Sequence, residues 1–294
     1  MAKSYRGVSD EPGLADPNHE RAARIGSDVS ERAPVLPYDV HDGHGPFLLL
    51  VHGMLSSRAQ WLANLEALGE VSRPVVVELF GHGRSPSPKD VEMYSPDHYV
   101  AEFEAIREGL GADRWFICGQ SLGAALTLRY ALDYPQRVIA QVFTNSMSAL
   151  AGEGWGDAVR PVMETQARRL ESEGRAALED HRFNPIRSRR LPRDVKEALV
   201  ADYTLHDPRG IELTGTYTVP ESSVRSRIGE NCVPALLIVG TREERFGEQR
   251  RFAERTMPLL EVAAFDAGHA VNVEACEGFN GAVVGFLRRH AEGA

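Results

Sequence analysis

The pentapeptide at 119–123, Gly-Gln-Ser-Leu-Gly, constrains the fold more than any other stretch of the chain. It follows directly on the apolar, β-prone run 115–118 and continues without a gap into the helix-forming segment 124–132. A serine in a G-x-S-x-G sequence between a strand and a helix sits on a sharp turn, where the glycines leave room for close packing. We therefore expect the Ser121 hydroxyl at the carboxyl edge of a sheet, beside the N-terminus of a helix.

Strand-like and helix-like segments alternate along the rest of the chain. The continuous apolar run at 46–51 is typical of a strand buried on both faces of a parallel sheet. Further strands are predicted at 74–79, 138–143, 235–239 and 262–265. Serine followed by proline predicts that a helix begins at 95–96, and a final helix is predicted at about 276–290. This alternation predicts an α/β fold with a mostly parallel central sheet and helices on both faces.

The segment 147–231 interrupts this alternation. It contains no strong strand signal, and it is far longer than a crossover between parallel strands requires. Three helix-like pieces predict a helical cap inserted over the carboxyl edge of the sheet: 157–178, 192–205 and 208–218. The predicted organisation is therefore an N-terminal polar arm at 1–35, a core at 36–146 and 232–294, and the cap at 147–231.

Composition limits the classes of function. The chain has 294 residues, 43% of them hydrophobic, which is enough to build the core of one α/β domain with an insertion. Its formal net charge of -9 argues against a nucleic-acid partner, because phosphates require a basic face. No apolar run reaches the roughly 18 residues of a membrane span, and the N-terminus lacks the apolar segment of a signal peptide. Three cysteines without framework spacing are typical of a reducing compartment, so we expect a cytoplasmic protein.

Further motifs accompany the pentapeptide in a fixed order. A His-Gly pair at 52–53 follows the first buried strand, a Gly-His-Gly triplet at 81–83 follows the second, and His269 lies after the last. Together with 119–123, these pieces resemble the α/β-hydrolase superfamily, in particular its capped, single-domain, esterase-like branch. The resemblance extends over about 47–287, except for the cap. It implies an α/β-hydrolase fold and an activity that needs no cofactor, but it does not specify the substrate.

The resemblance implies roles for the residues at matching positions. Ser121 matches the nucleophile of the family, and His269 matches its general base. The family's acid is commonly an aspartate three residues after the glycine that follows the penultimate strand. Here that glycine is Gly240, so the matching residue is Glu243. Glutamate departs from the common pattern, and the adjacent Glu244 is the alternative acid.

Each of these residue types serves a step of acyl transfer. A serine hydroxyl needs an imidazole to accept its proton as it attacks, and a carboxylate fixes the tautomer of that imidazole and stabilises the imidazolium. The resemblance places the oxyanion-hole donors at the backbone N–H groups of Met54 and Leu122. Some relatives carry their acid in the loop that is Thr-Asn-Ser at 144–146 here, but this loop has no carboxylate.

Several other residues have two interpretations. His52 and His82 suggest a metal site, but no carboxylate or cysteine accompanies them at ligand spacing, so we expect no metal. Trp155, Phe183 and Tyr217 could line an acyl pocket as substrate-binding residues, or they could anchor the cap to the core. The predicted cap also contains a cluster of five arginines: Arg182, Arg187, Arg189, Arg190 and Arg193. The cluster could be a solvated surface, or it could bind a carboxylate-bearing substrate.

The sequence therefore predicts a serine-dependent hydrolase that cleaves a small or medium carboxylic ester, lactone or thioester through an acyl-enzyme. The expected partner is a small-molecule substrate, with no nucleic acid and no membrane. Two alternatives stay open. The same triad could hydrolyse a carbon–carbon bond or eliminate an acid from a pathway intermediate, or the protein could be a slowly hydrolysing receptor or a non-catalytic binding protein. Related dehalogenases and epoxide hydrolases carry aspartate at the position of Ser121, so the serine disfavours both activities.

Overall fold

A computed structural model describes residues 36–291, so the predicted arm at 1–35 lies outside the described residues. Seven strands of this range form one sheet, in the order β1-β3-β2-β4-β5-β6-β7. Their bounds are β1 (Tyr38–Val40), β2 (Phe47–Val51), β3 (Arg73–Val77), β4 (Trp115–Gly119), β5 (Val138–Thr144), β6 (Ala235–Gly240) and β7 (Leu260–Phe265). All neighbouring pairs are parallel except β1 with β3. The six predicted strands are confirmed, and the mostly parallel sheet is as expected.

The edge strand β1 has no counterpart among the predicted strands. Its three residues are partly or largely exposed, so they form no continuous apolar run. The central strands β2, β4, β5 and β6 are buried along their whole length, which explains their predominantly apolar sequences.

Ten α-helices of the described range surround the sheet. They are α1 (Leu65–Gly69), α2 (Pro96–Gly109), α3 (Leu122–Asp133), α4 (Trp155–Glu173), α5 (Arg175–Glu179), α6 (Arg193–Tyr203), α7 (Pro208–Leu213), α8 (Gly247–Thr256), α9 (Val271–Glu274) and α10 (Cys276–Ala291). The predicted start of α2 is confirmed, because the Ser95 hydroxyl accepts the His98 N–H and Pro96 is the first helical residue. Among the described helices, none is long and apolar enough to cross a membrane.

The core consists of layers on the two faces of the sheet. Successive side chains of a strand point to opposite faces, and β4 illustrates this alternation. Trp115 and Ile117 pack into one apolar cluster with α2 and α3, whereas Phe116 and Cys118 pack into another with α10. The turn at 119–123, which we call the elbow, follows β4 and is therefore held between two apolar layers.

The segment 147–231 forms helices α4 to α7 between β5 and β6. The predicted helix at 157–178 is two helices, because Gly174 adopts a φ of 56° and ends α4. The predicted helix at 208–218 is α7 followed by a π-helical turn at Thr214–Thr218. Leu170, Leu178 and Ile211 of this segment pack on Leu55 of the loop after β2. Helices α4 to α7 therefore contact the sheet's carboxyl-end loops.

Candidate active site

Ser121 occupies the sharp turn that the pentapeptide predicts. It lies between the end of β4 and the start of α3, with φ 54° and ψ -114°, a conformation that L-residues other than glycine rarely adopt. A Cβ at Gly119 would lie 2.4 Å from the Gly123 carbonyl oxygen, and a Cβ at Gly123 would lie 2.2 Å from the Val51 carbonyl oxygen. Only glycine fits at these two positions, so the sequence G-x-S-x-G is what permits the strained serine backbone.

His269 and Glu243 are brought together by the loops that follow β7 and β6. The His269 Nδ1 atom lies 3.0 Å from both carboxylate oxygens of Glu243. A carboxylate can only accept hydrogen bonds, so Nδ1 carries the proton and Nε2 is left as an acceptor. The Glu244 side chain is exposed and makes no ion pair with another described residue. The geometry thus pairs His269 with Glu243 and not with Glu244.

Asn145 holds the Glu243 carboxylate from the other side. Its Nδ2 donates to Glu243 Oε2 at 2.7 Å, and its Oδ1 accepts the Gly240 N–H at 3.2 Å. Burial alone would raise the pKa of Glu243, but the hydrogen bonds from His269 and Asn145 lower it below the ordinary value. Glu243 is therefore charged at neutral pH. The sequence shows that the 144–146 loop lacks a carboxylate, but it does not indicate that the amide of Asn145 binds the acid.

The histidine loop is tied to the elbow through the residue before Ser121. Gln120 is buried, and its side-chain amide donates to the His269 carbonyl oxygen at 3.2 Å. The Ser121 hydroxyl makes no hydrogen bond with another side chain in the described part of the chain. In a protein without bound substrate, the bond between nucleophile and base is often loose and tightens on binding.

The loop after β2 lies against Ser121. A Cβ at Gly53 would be 3.0 Å from the Ser121 Cβ, so the backbone passes in close contact with the serine. The N–H groups of Met54 and Leu122 donate to no other group within residues 36–291. Two free amides beside a strained serine are the donors that an oxyanion requires.

His52 and His82 form backbone hydrogen bonds. Both side chains are fully buried, and burial lowers the pKa of each to about 3, so both are neutral at physiological pH. Nδ1 of His52 donates to the Gly53 carbonyl oxygen at 2.8 Å, while Nε2 accepts the Leu79 N–H at 3.1 Å. Within the described range, no group of three or more His, Cys, Asp or Glu side chains is arranged to hold a metal ion.

A cavity of about 410 Å³ lies between the helical segment and the loop after β2. Its lining includes Met54 but neither Ser121 nor His269. The rest of the lining comes mainly from one face of α4, at 162, 163, 166, 167, 169 and 170, and from Ala177, Leu178, Ile211 and Gly215. The spacing on α4 is that of a single helix face, which was the available sequence signal for these residues.

The three aromatic residues proposed from the sequence do not line this cavity. Phe183 is 60% exposed and Tyr217 is 41% exposed, while Trp155 is half-buried at the start of α4. The expectation that they form the acyl pocket is therefore not supported by the cavity. The residues that do line the cavity come mainly from α4, whereas Phe183 and Tyr217 lie outside that helix.

The arginine cluster is mainly an exposed, ion-paired surface. Three of its members pair with nearby carboxylates: Arg187 with Asp180 at 3.1 Å, Arg190 with Glu274 at 3.7 Å and Arg193 with Glu197 at 2.7 Å. Arg182 lies over the Phe183 ring and is the one member of the five that lines the cavity. Exposed pairs of this kind contribute little to stability.

Comparison with known proteins identifies the family of the fold. The family model for the alpha/beta hydrolase fold matches residues 46–275. The chain belongs to the alpha/beta hydrolase fold family. Most members of this superfamily are enzymes, and the order of the motifs in this α/β-hydrolase, from the loop after β2 to His269, falls within the matched range.

Individual relatives cover most of this α/β-hydrolase. It is 27% identical over 248 residues to a Bacillus subtilis (strain 168) protein that bears the name of a putative 2-succinyl-6-hydroxy-2,4-cyclohexadiene-1-carboxylate synthase, covering 82% of this chain and 89% of that protein. Its structure is similar to MenH from S. aureus, with a TM-score of 0.76, 18% identity, and coverage of 86% and 98%. It is also similar to the enol-lactonase from Burkholderia xenovorans LB400, with a TM-score of 0.72, 22% identity, and coverage of 86% and 96%. At these identities the two solved structures show the fold.

Proposed function

We propose that this α/β-hydrolase is a serine hydrolase that cleaves a small or medium carboxylic ester, lactone or thioester through an acyl-enzyme. The observation that carries the proposal is the pairing of His269 with Glu243 at 3.0 Å. The loop of His269 is in turn hydrogen-bonded to Gln120, the residue before Ser121. A charged, partly buried acid that fixes the histidine tautomer is what a serine nucleophile requires.

The proposed reaction has two halves. Nε2 of His269 accepts the proton of the Ser121 hydroxyl as the oxygen attacks the carbonyl carbon, and the N–H groups of Met54 and Leu122 stabilise the resulting oxyanion. His269 then donates the proton to the leaving alcohol or thiol. Water, deprotonated by the same imidazole, hydrolyses the acyl-enzyme and restores Ser121.

The cavity supports a substrate with an apolar group of moderate size. Its lining includes Met54, whose N–H is one of the proposed oxyanion donors, and most of the lining residues are apolar. Helices α4, α5 and α7 supply most of that lining, so we propose the segment 147–231 as a cap that selects the substrate. The three cysteines carry free thiols, which fits a cytoplasmic enzyme.

A panel of p-nitrophenyl esters of increasing acyl length, lactones and acyl thioesters tests the proposal. We expect multiple turnovers on at least one class, with a preference for medium over acetyl chains, and loss of turnover in Ser121→Ala. A single stoichiometric release of product, followed by a stable adduct on Ser121, would instead indicate a receptor. Turnover that persists in Ser121→Ala would contradict the proposed nucleophile.

A second candidate is an elimination reaction that uses the same three residues. It is favoured by the Bacillus subtilis relative, which is named as a synthase and matches 82% of this chain. In this case His269, oriented by Glu243, would take a proton from the substrate, and a carboxylate would leave with the electrons of the bond that breaks. The Ser121 hydroxyl would bind the substrate by a hydrogen bond, and no acyl-enzyme would form. Absence of turnover on the whole ester panel, with Ser121 still reactive towards a fluorophosphonate, would favour this candidate over hydrolysis.

A further inference from the structure

His82 forms hydrogen bonds with two separate loops. Its Nδ1 donates to the Phe80 carbonyl oxygen at 2.9 Å within its own turn, and its Nε2 accepts the Leu55 N–H at 3.0 Å. Leu55 directly follows Met54, whose N–H is a proposed oxyanion donor. One imidazole therefore connects the turn after β3 to the backbone beside Ser121.

Leu55 needs such a partner because its backbone is strained. Its φ is 61°, in the left-handed region that β-carbon-bearing residues seldom occupy, and it is one of three described non-glycine residues with positive φ. Strain of this kind persists only where the surroundings enforce it. The hydrogen bond to His82 occupies the Leu55 N–H, while the neighbouring Met54 N–H donates to no described group.

The surroundings keep His82 fixed. Its ring packs between two other buried imidazoles, with ring centroids 5.2 Å from His52 and 5.3 Å from His206. His206 belongs to the segment between α6 and α7, and its Nδ1 accepts the Gly83 N–H at 2.8 Å. The turn at 81–83 is therefore held from the side of the proposed cap as well as from the core.

We propose that His82 is a positioning residue for the oxyanion hole, which acts by holding Leu55 in its left-handed conformation and so orienting the Met54 N–H. This inference rests on the proposed function of Ser121 and Met54. It assigns to the Gly-His-Gly turn a part in catalysis that does not require contact with the substrate.

Substituting His82 by asparagine or by glutamine tests its two hydrogen bonds one at a time. The Asn carboxamide reaches the position of Nδ1, so His82→Asn keeps the donor to Phe80 but leaves the Leu55 N–H without an acceptor. The Gln carboxamide reaches the position of Nε2, so His82→Gln keeps the acceptor for Leu55 but loses the donor to Phe80. Each variant buries one amide and loses one hydrogen bond, which makes them matched controls.

The kinetic test compares kcat and KM of the two variants on the best ester. We expect His82→Asn to lower kcat by about 10-fold or more with KM within about two-fold, because misdirecting an oxyanion donor approaches the 10²–10³-fold cost of removing one. We expect His82→Gln to stay within about three-fold of the wild-type kcat. Equal losses in both variants, or a change confined to KM, would overturn the positioning role and leave the proposed hydrolysis intact.

A second measurement in the unaltered protein does not depend on activity or on the folding of a variant. In ¹⁵N-labelled protein, a bond from Leu55 to His82 predicts a through-hydrogen-bond coupling between the Leu55 amide nitrogen and His82 Nε2. Absence of this coupling would overturn the inference even if esters are hydrolysed. If the coupling is present but Ser121→Ala leaves turnover unchanged, the proposed function fails, and the positioning role fails with it.

Discussion

Nδ1 of His269 is equidistant from the two carboxylate oxygens of Glu243, at 3.0 Å from each. Glutamate is one methylene longer than the aspartate that is common at this position, and here it lies in the loop after β6. That loop is bonded to the loop after β7, because the Arg242 N–H donates to the Ala267 carbonyl oxygen at 2.9 Å. Arg242 also forms a two-pronged ion pair with Asp266. The two loops therefore hold acid and base at hydrogen-bonding distance.

Removing the charge of one glutamate at a time should show whether Glu243 or Glu244 acts as the acid. Glu243→Gln keeps the shape but removes the charge that orders and stabilises the His269 imidazolium, so we expect kcat to fall by about 10³–10⁴-fold. Glu244→Gln, one residue away and exposed, is the matched control and should stay within about two-fold. Steady-state kinetics on one ester measures both. A large loss in Glu244→Gln with a silent Glu243→Gln would show that the pairing differs in solution.

Asn145 should contribute to catalysis through Glu243. Asn145→Asp replaces the donor at 2.7 Å from Glu243 with a second carboxylate, which raises the pKa of the resulting pair of carboxyl groups and favours a proton shared between them. On the acid side of the pH profile, kcat/KM rises with pH as the catalytic groups lose their protons. We expect this rise, the acid limb, to move to higher pH in Asn145→Asp, and kcat at pH 7 to fall by roughly 10-fold or more. Asn145→Ala should lower kcat without moving that limb as far. An unchanged pH profile in Asn145→Asp would show that the amide does not influence the acid.

The sequence predicts the fold and the catalytic set because both depend on local patterns. Buried parallel strands require continuous apolar runs, and the strained Ser121 requires glycines on either side, so each leaves a trace in the order of residues. The pairing of His269 with Glu243 is implied by the resemblance to the α/β-hydrolase superfamily, and the 3.0 Å distance is what favours Glu243 over Glu244. The cavity could not be predicted in the same way. The spacing on α4 indicates which residues share a helix face, but it does not indicate that this face packs over Leu55 and lines a cavity. Residues such as Met163 are therefore not predicted by the sequence, whereas Phe183, which the sequence offers as a pocket residue, is exposed.

Stability should fall in mild acid because of three buried imidazoles. Burial lowers the pKa of His52, His82 and His206 from 6.5 to about 3, so the folded state stays unprotonated where the unfolded state binds protons. Their contribution to stability is complete above pH 6.5 and is lost as the pH falls from there towards 3. The slope is about 1.4 kcal/mol per pH unit for each histidine.

Urea unfolding between pH 7.5 and 5 measures this slope. His82→Gln, which removes one of the three titrating groups, should reduce it by about one third. A free energy of unfolding that is independent of pH over this range would contradict the burial of neutral histidines.

The glycines of the elbow should be irreplaceable, in contrast to glycines on exposed helix positions. In Gly123→Ala the new Cβ would lie 2.2 Å from the Val51 carbonyl oxygen and 2.7 Å from that of His52, both of them backbone atoms. The elbow must shift, and a displacement of about 1 Å costs on the order of 10²-fold in rate. Gly281→Ala in α10 meets nothing within 4 Å and should stabilise the protein by about 1 kcal/mol. Activity assays and thermal unfolding of both variants test this contrast.

The identity of the nucleophile is tested most directly by labelling with a fluorophosphonate, followed by intact-mass measurement and peptide mapping. We expect one adduct per chain, located on Ser121. Its formation should be much slower in His269→Ala, because the hydroxyl loses its base. Ser121→Ala should take up no label. An adduct on another residue, or labelling of Ser121 at the same rate without His269, would contradict the proposed mechanism.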